Sequence, residues 1–302
     1  MRDVFFIVGP TATGKSEIAA DVAREIGAEI VSADAFQIYR GLDLLTAKPD
    51  AATLAKVQHH LVGTMSILEE MNAEKFRKLA LGAVSEVHSR GKLAIVAGGS
   101  GLYIKALTHG LSVLPSADPD LRAELNGLSL ADLQKKLRGL DYAAAKKIDM
   151  KNRRRLVRAI EVCLLGGGQI SERKEWSRDI ATRGVFVFRD RDDIYPRINQ
   201  RVEKMLDAGV IEEVRNAGAM SETALKMIGL REIRELLDGK KSIQQCVAAI
   251  QQATRRYAKR QLTWFRRQTN FQVLNLSELS HVEAVERISQ LAKTPGVTPG
   301  ND

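Results

Sequence analysis

Cysteine is almost missing from this chain: Cys163 and Cys246 are the two it has among 302 residues. Neither stands in a C-x-x-C or mixed Cys/His spacing, which argues against a zinc site and excludes a disulfide framework. No apolar run approaches the roughly 20 residues needed to span a bilayer. The amino end passes directly from Met1-Arg2-Asp3 into an apolar segment closed by Gly9-Pro10, without the pattern of a secretory leader. Internal repeats are absent too. Acid is scarce relative to base, with 37 Asp+Glu against 46 Lys+Arg and a formal net charge of +9. The expectation is a cytoplasmic protein with no membrane association. Its basic balance suits an anionic partner, most often nucleic acid, with an incidentally basic surface as the plain alternative. The remaining composition, 44% hydrophobic and 27% charged, is that of a globular chain with one large or two modest domains.

What is present reads as alternating strands and helices. Val4-Phe5-Phe6-Ile7-Val8 is continuously apolar, as a strand buried on both faces of a parallel sheet would be. A helix is expected from Ser16 to Ile26, with Ile18, Ala19, Val22 and Ile26 on one face. Further strands are expected at Glu29–Ser32, Lys92–Val96, Val185–Phe188 and Phe271–Leu274. Helices are expected at Ala73–Ser89, with Phe76, Leu79, Ala80, Ala83, Val84 and Val87 inward, and at Ser100–Thr108. A long helix should start at a Ser242 cap and run to about Phe265, with Ile243, Val247, Ile250 and Tyr257 on one face. The fold class is therefore α/β, a doubly wound parallel sheet. Residues 116–180 carry no strand pattern and read as a small all-helical insertion, dividing a core of residues 1–115 and 181–294. The Pro- and Gly-containing tail, residues 295–302, reads as disordered.

Gly9-Pro10-Thr11-Ala12-Thr13-Gly14-Lys15-Ser16 matches G-x-x-x-x-G-K-[ST] in full, between an expected strand and an expected helix. Glycines let the backbone wrap a phosphate with its N–H groups, and the helix N-terminus adds a favourable dipole. Lys15 supplies a point charge and the Ser16 hydroxyl can hold Mg²⁺. The motif identifies a polyphosphate site without saying which polyphosphate. Asp34, just past the second strand, reads equally as a metal-binding aspartate or a general base, with a solvated loop residue as the third possibility. The strand ending in Gly98-Gly99 offers no aspartate of its own.

Several segments, in order along nearly the whole chain, resemble one family, the bacterial tRNA dimethylallyltransferases, also called tRNA isopentenyltransferases. They are the P-loop itself, Ser32-Ala33-Asp34-Ala35-Phe36-Gln37-Ile38-Tyr39-Arg40-Gly41, Thr46-Ala47-Lys48-Pro49, Gly98-Gly99-Ser100-Gly101-Leu102-Tyr103, Leu114-Pro115-Ser116-Ala117-Asp118-Pro119, Arg155–Val162 and Thr254–Arg266. The chain departs from the family's usual residues at Ala35, Leu45, Ser100 and Leu230, where serine, glycine, threonine and tyrosine are usual; Ser100 keeps the hydroxyl.

The resemblance implies dimethylallyl pyrophosphate as donor and N6 of adenosine 37, in the anticodon stem-loop of tRNA, as acceptor. It also implies Mg²⁺ and no consumption of ATP. The loop from Gly9 to Ser16 would hold pyrophosphate, completed by Arg201. Asp34 would take the N6 proton, and Ser100 would donate to pyrophosphate, alongside its plainer role as a helix N-cap. Arg201 without the resemblance would read as an exposed arginine on an amphipathic helix. The target base must leave the stack, into a pocket of Asp34, Ala35, Phe36, Gln37 and Ser100. Contacts to tRNA are expected from Arg122, Arg154, Arg155, Leu156, Val157 and Arg158, and from Lys226, Met227, Ile228, Gly229, Leu230 and Arg231; a solvated helix face is the alternative for the arginine run. Trp264 and Tyr257, as lone aromatics at helical spacing, read as core residues, with stacking on RNA as the alternative. The enzyme is expected to act as a monomer. Competing readings are a prenyltransferase acting on free AMP, a P-loop nucleotide kinase, and a noncatalytic RNA-binding switch.

Overall fold

The computed structural model describes residues 4–112, 114–172, 182–268 and 270–294. The tail expected to be disordered and the last part of the expected insertion, residues 173–180, lie outside the described residues.

Among the described residues the chain forms a six-stranded, all-parallel sheet: β1 (Val4–Val8), β2 (Glu29–Ser32), β3 (His59–His60), β4 (Ala94–Gly98), β5 (Arg183–Phe188) and β6 (Gln272–Asn275). Their order across the sheet is β3-β2-β4-β1-β5-β6. The expected α/β class is borne out. The apolar continuity of β1 has its physical cause in two cores. Val4, Phe6 and Val8 enter one, while Phe5 and Ile7 enter the other, on the opposite face.

Helices cover both faces. Those of the sheet unit are α1 (Lys15–Ile26), α2 (Ala51–Leu54), α3 (Ala73–Ser89) and α4 (Gly101–His109) before residue 110. After the insertion's α5 (Pro119–Gly127), α6 (Leu130–Leu140), α7 (Tyr142–Lys147) and α8 (Arg153–Leu165) come α9 (Arg191–Asp207), α10 (Val210–Asn216), α11 (Leu230–Leu237), α12 (Ile243–Gln268) and α13 (His281–Lys293). The chain divides into two compact units, residues 1–108 with 180–302, and residues 109–179. The elements of the second unit are all helices among its described residues, packed around Leu125, Leu133, Leu137, Leu156 and Ile160.

Most elements fall where periodicity places them, and the differences have local causes. Ser242 caps α12, accepting from the Gln245 N–H at 3.2 Å while the Gln245 side chain accepts from the Ser242 N–H at 2.9 Å. Ile243, in that first turn, is 47% exposed rather than on the buried face. Leu79, expected inward on α3, is 38% exposed, because Phe76, Ala80, Ala83, Val84 and Val87 already complete the buried stripe. The edge strand β3 was not expected. Its two histidines carry no apolar signal, and it exists because Ile30 and Val31 of β2 pair with it.

This topology positions a site. The chain leaves β1 for β2 on one side, returns to place β4 between them, and continues to β5 and β6 on the other side. The loops after β1, β2, β4 and β5 therefore meet at one edge, the crevice where open α/β sheets bind ligands.

Candidate active site at the phosphate-binding loop

The loop from Gly9 to Ser16 is tied at many points. The Gly9 N–H donates to the Gly98 carbonyl at 3.2 Å, and the Thr13 hydroxyl donates to the Pro10 carbonyl at 3.0 Å. Gly14 turns with φ 87° into α1, a left-handed conformation that glycine adopts without penalty. Two arginines from the β5–α9 region hold the loop's outer carbonyls: Arg189 donates to Thr13 O at 2.9 Å and Arg197 to Ala12 O at 3.0 Å. Arg201, one turn further along α9, donates to the Thr11 hydroxyl at 2.8 Å.

The electrostatics of the cleft are those of an anion site. Among the described residues neither Lys15 nor Arg201 has a carboxylate within ion-pair distance. Burial pulls the Lys15 ammonium below the usual lysine range; Asp34 nearby opposes that shift and the positive charge of Arg201 reinforces it. Burial likewise lowers Arg201, again opposed by Asp34. The Arg201 Nε is buried without a hydrogen-bond partner among the described residues. Desolvated cations without a counter-ion are costly, so the arrangement favours a polyanion that accepts from both.

Asp34 follows β2. One of its oxygens accepts from the N–H groups of Phe36 at 2.9 Å and Gln37 at 3.3 Å, a turn that leaves the other oxygen without a hydrogen-bond partner among the described residues. The Ala35 N–H donates to the Ser100 hydroxyl oxygen at 2.9 Å, joining the loops after β2 and β4. Thr11, Asp34, Phe36, Arg201 and Tyr257 line one cleft, together with Leu45, Met205, Met227 and Ile228. Its lining is therefore part charged and polar, part apolar. Gly229 lies close beneath Leu45: a Cβ there would stand 3.1 Å from the Leu45 methyl.

Two residues of α12 do more than helix periodicity indicates. Gln261 is 6% exposed and accepts from the Thr11 N–H at 2.9 Å while donating to the Gly99 carbonyl at 2.8 Å. It bolts the phosphate loop to the Gly98-Gly99 turn, and a Cβ on Gly99 would lie 2.3 Å from its amide nitrogen. Tyr257, one turn earlier, was read as core but lines the cleft. Its phenol is pushed well above the usual tyrosine range, first by burial and then by Asp34, while interactions with the side chains of Ser100 and Gln261 act the other way. Trp264 does behave as a packing residue: its ring lies against Gly101, where a Cβ would stand 2.5 Å away, and edge-on to Phe265. The sequence held a signal for Gln261 and Tyr257, since both lie at helical spacing with Thr254 inside the C-terminal motif. What it lacked was which face of α12 meets the loops.

In the helical unit the expected contact residues divide by environment. Leu156 and Val157 are 0% and 5% exposed and belong to the unit's own core, so side-chain contact with RNA does not fall to them. Arg122 and Arg158 converge on Glu161, itself fully buried. Arg122 donates to it twice, at 2.9 and 2.6 Å, and Arg158 once, at 3.0 Å. Arg153 donates to the carbonyls of Asn126 and Leu128. Arg154 and Arg155 are exposed and without an internal partner among the described residues. In the sheet unit Met227 and Leu230 are 4% and 1% exposed and pack in the core, whereas Lys226 and Arg231 are exposed.

Fold and loop together are those of a P-loop α/β protein. The model of the family "IPP transferase" matches residues 37–268, and the chain belongs to that family. It is 43% identical over 270 residues to tRNA dimethylallyltransferase 1 of Citrifermentans bemidjiense, covering 87% of this chain and 88% of that one. It is 39% identical over 298 residues to the tRNA dimethylallyltransferase of Acetivibrio thermocellus, covering 94% and 95%. Among solved structures, the tRNA isopentenylpyrophosphate transferase of Bacillus halodurans superposes with a TM-score of 0.71 at 32% identity, covering 96% and 95%.

Proposed function

We propose that the chain transfers the dimethylallyl group of dimethylallyl pyrophosphate to N6 of adenosine 37 in tRNA, releasing pyrophosphate. The observation that carries this reading is the pair of desolvated cations, Lys15 and Arg201, neither with a carboxylate at ion-pair distance among the described residues, with Arg201 and Asp34 lining one cleft. The family membership narrows a generic phosphate site to a prenyl donor.

N6 of adenine is a poor nucleophile because its lone pair is delocalised, and the allylic carbon is a good electrophile because it tolerates positive charge. Catalysis therefore has two tasks: stabilising charge on the leaving pyrophosphate and removing a proton from N6. Lys15, Arg201 and the loop N–H groups take the first, as fixed dipoles and charges that need no reorganisation. The Thr11 N–H is excluded from that set, being already engaged by Gln261. Asp34 takes the second with its free oxygen, its other oxygen held by two backbone N–H groups. Ser16, whose hydroxyl has no hydrogen-bond partner among the described residues, fits Mg²⁺, which when bound adds charge stabilisation on the phosphate oxygens.

The acceptor base is extruded from the anticodon loop toward Asp34, Ala35, Phe36 and Gln37. Arg154 and Arg155 of the helical unit, with Lys226 and Arg231, supply phosphate contacts that give register and affinity. Within the helical unit Arg122 and Arg158 are held by Glu161. No helix among the described residues is long and apolar enough to cross a membrane; with tRNA as substrate, the enzyme is read as a cytoplasmic monomer.

The test is incubation with tRNA and labelled dimethylallyl pyrophosphate, with and without Mg²⁺, followed by nucleoside analysis. Label in N6-isopentenyladenosine at position 37 is expected. Label absent from tRNA, or robust tRNA-stimulated ATP hydrolysis, sinks the reading.

A further inference from the structure

The charged groups of the cleft leave one member without a task, the phenol of Tyr257. Its place is decided by a count of donors and acceptors. Gln261 and Tyr257 lie four residues apart on α12, on the same face. The Gln261 carbonyl oxygen takes the Thr11 N–H and its amide donates one proton to the Gly99 carbonyl. A backbone donor on one side and a backbone acceptor on the other leave no ambiguity in that amide's orientation. Its second amide proton is not used by either bond, and its side chain interacts with Tyr257, four residues away on the same face. Ser100 is constrained in the same way. Its oxygen already accepts from the Ala35 N–H, so its own proton is available to the phenol beside it. Ser100 and Gln261 thus each have a proton to offer the Tyr257 oxygen, which leaves the phenol's own proton for the cleft that Tyr257 lines together with Asp34, Thr11 and Arg201.

We propose that Tyr257 is a further catalytic residue, donating a hydrogen bond to the pyrophosphate oxygen from which the allylic carbon departs. The assignment rests on the donor and acceptor named above. The C–O bond breaks with its electron pair kept by that oxygen, the N6 lone pair forms the new C–N bond, the N6 proton goes to Asp34, and the phenol keeps its own proton throughout. A donor is useless to the amine, which must lose a proton, and useful to the oxygen, where negative charge grows as the bond breaks. Accepting from Ser100 and Gln261 polarises the phenol O–H and strengthens it as a donor. Burial and the neighbouring Asp34 hold the phenol neutral, and so a donor, at physiological pH.

Tyr257→Phe removes the donor and keeps the ring. Expected is a fall in kcat on the order of 10²-fold, with the KM for donor, the tRNA affinity and the melting temperature close to those of the parent. A purely structural role would instead move the melting temperature or both KM values. A fluorinated tyrosine at position 257, nearly isosteric, is the second variant. It should bring into the accessible alkaline range a loss of kcat that the parent lacks, because the phenolate cannot donate. Three results overturn the proposal: a folded Tyr257→Phe enzyme with unchanged kcat, a change confined to the KM for tRNA, or a fluorotyrosine enzyme with no alkaline loss. Failure of the proposed function is distinguishable, since the parent enzyme would then leave the tRNA unlabelled in the same assay.

Discussion

Replacing Gln261 should expose how far the phosphate loop depends on a residue that touches no phosphate. Its side chain joins the Thr11 N–H and the Gly99 carbonyl through bonds of 2.9 and 2.8 Å, and the second of these is buried. Gln261→Leu keeps the bulk and removes both bonds. A buried polar group left without a partner costs about 1–3 kcal/mol. The half-buried Thr11 N–H can turn to water, so most of the penalty falls on Gly99, and the loss of stability should be about 2–3 kcal/mol. That is a large share of the ~5–15 kcal/mol typical of a domain but leaves it folded. Gln261→Glu separates stability from electrostatics. It retains the acceptor for Thr11, loses the donor to Gly99, and sets a carboxylate behind the loop, so pyrophosphate affinity should fall about tenfold or more, a change of ~1.4 kcal/mol per decade. Urea unfolding and calorimetric titration with pyrophosphate measure the two effects. A Gln261→Leu protein with the parent's urea midpoint and pyrophosphate affinity would refute the bolt, and a Glu variant binding pyrophosphate as the Leu variant does would refute the electrostatic part.

Asp34→Asn should leave tRNA binding intact and slow single-turnover transfer on pre-bound tRNA by on the order of 10²–10⁴; an unchanged rate removes Asp34 from the role of base. Neutralising Arg154 and Arg155 together should weaken tRNA binding and reduce the slope of log affinity against log salt by about 0.7–0.9 per lost phosphate contact; an unaltered slope makes them a solvated face. The buried Glu29 carboxylate, held first by Arg90 and then by His60 and Lys92, is lowered from 4.5 to about 2. Because its folded value lies below its unfolded one, its contribution is complete above about pH 4.5 and disappears as pH falls toward 2. With solvent screening of the half-exposed arginine and lysine, that contribution is about 2–3 kcal/mol. Glu29→Gln should therefore flatten the acid limb of stability in urea titrations at pH 3 to 7, and an unchanged limb contradicts the assignment.

Local pattern settles an element when one segment alone carries its physical cause. The apolar run Val4–Val8 can satisfy its side chains only between two covered faces, and the phosphate loop carries its own conformational requirement in Gly14, which turns at positive φ. Helix α12 likewise announces its start in the reciprocal Ser242–Gln245 cap. These features, and with them the α/β class and the family resemblance, needed no partner from elsewhere in the chain. What depends on a partner was not readable in that way. Strand β3 forms because β2 offers it an edge. Arg122 and Arg158 share a buried partner only once Glu161 is placed between them, and Tyr257 looks like core until Ser100 and Asp34 are brought beside it. Thr11 and Gln261 are 250 positions apart, yet one hydrogen bond decides which loop N–H remains for the ligand. A sequence records the chemical type of each side chain, whereas the pairing of a donor with its acceptor, and so which groups remain free to act on a substrate, is decided only when the sheet gathers distant loops at one edge.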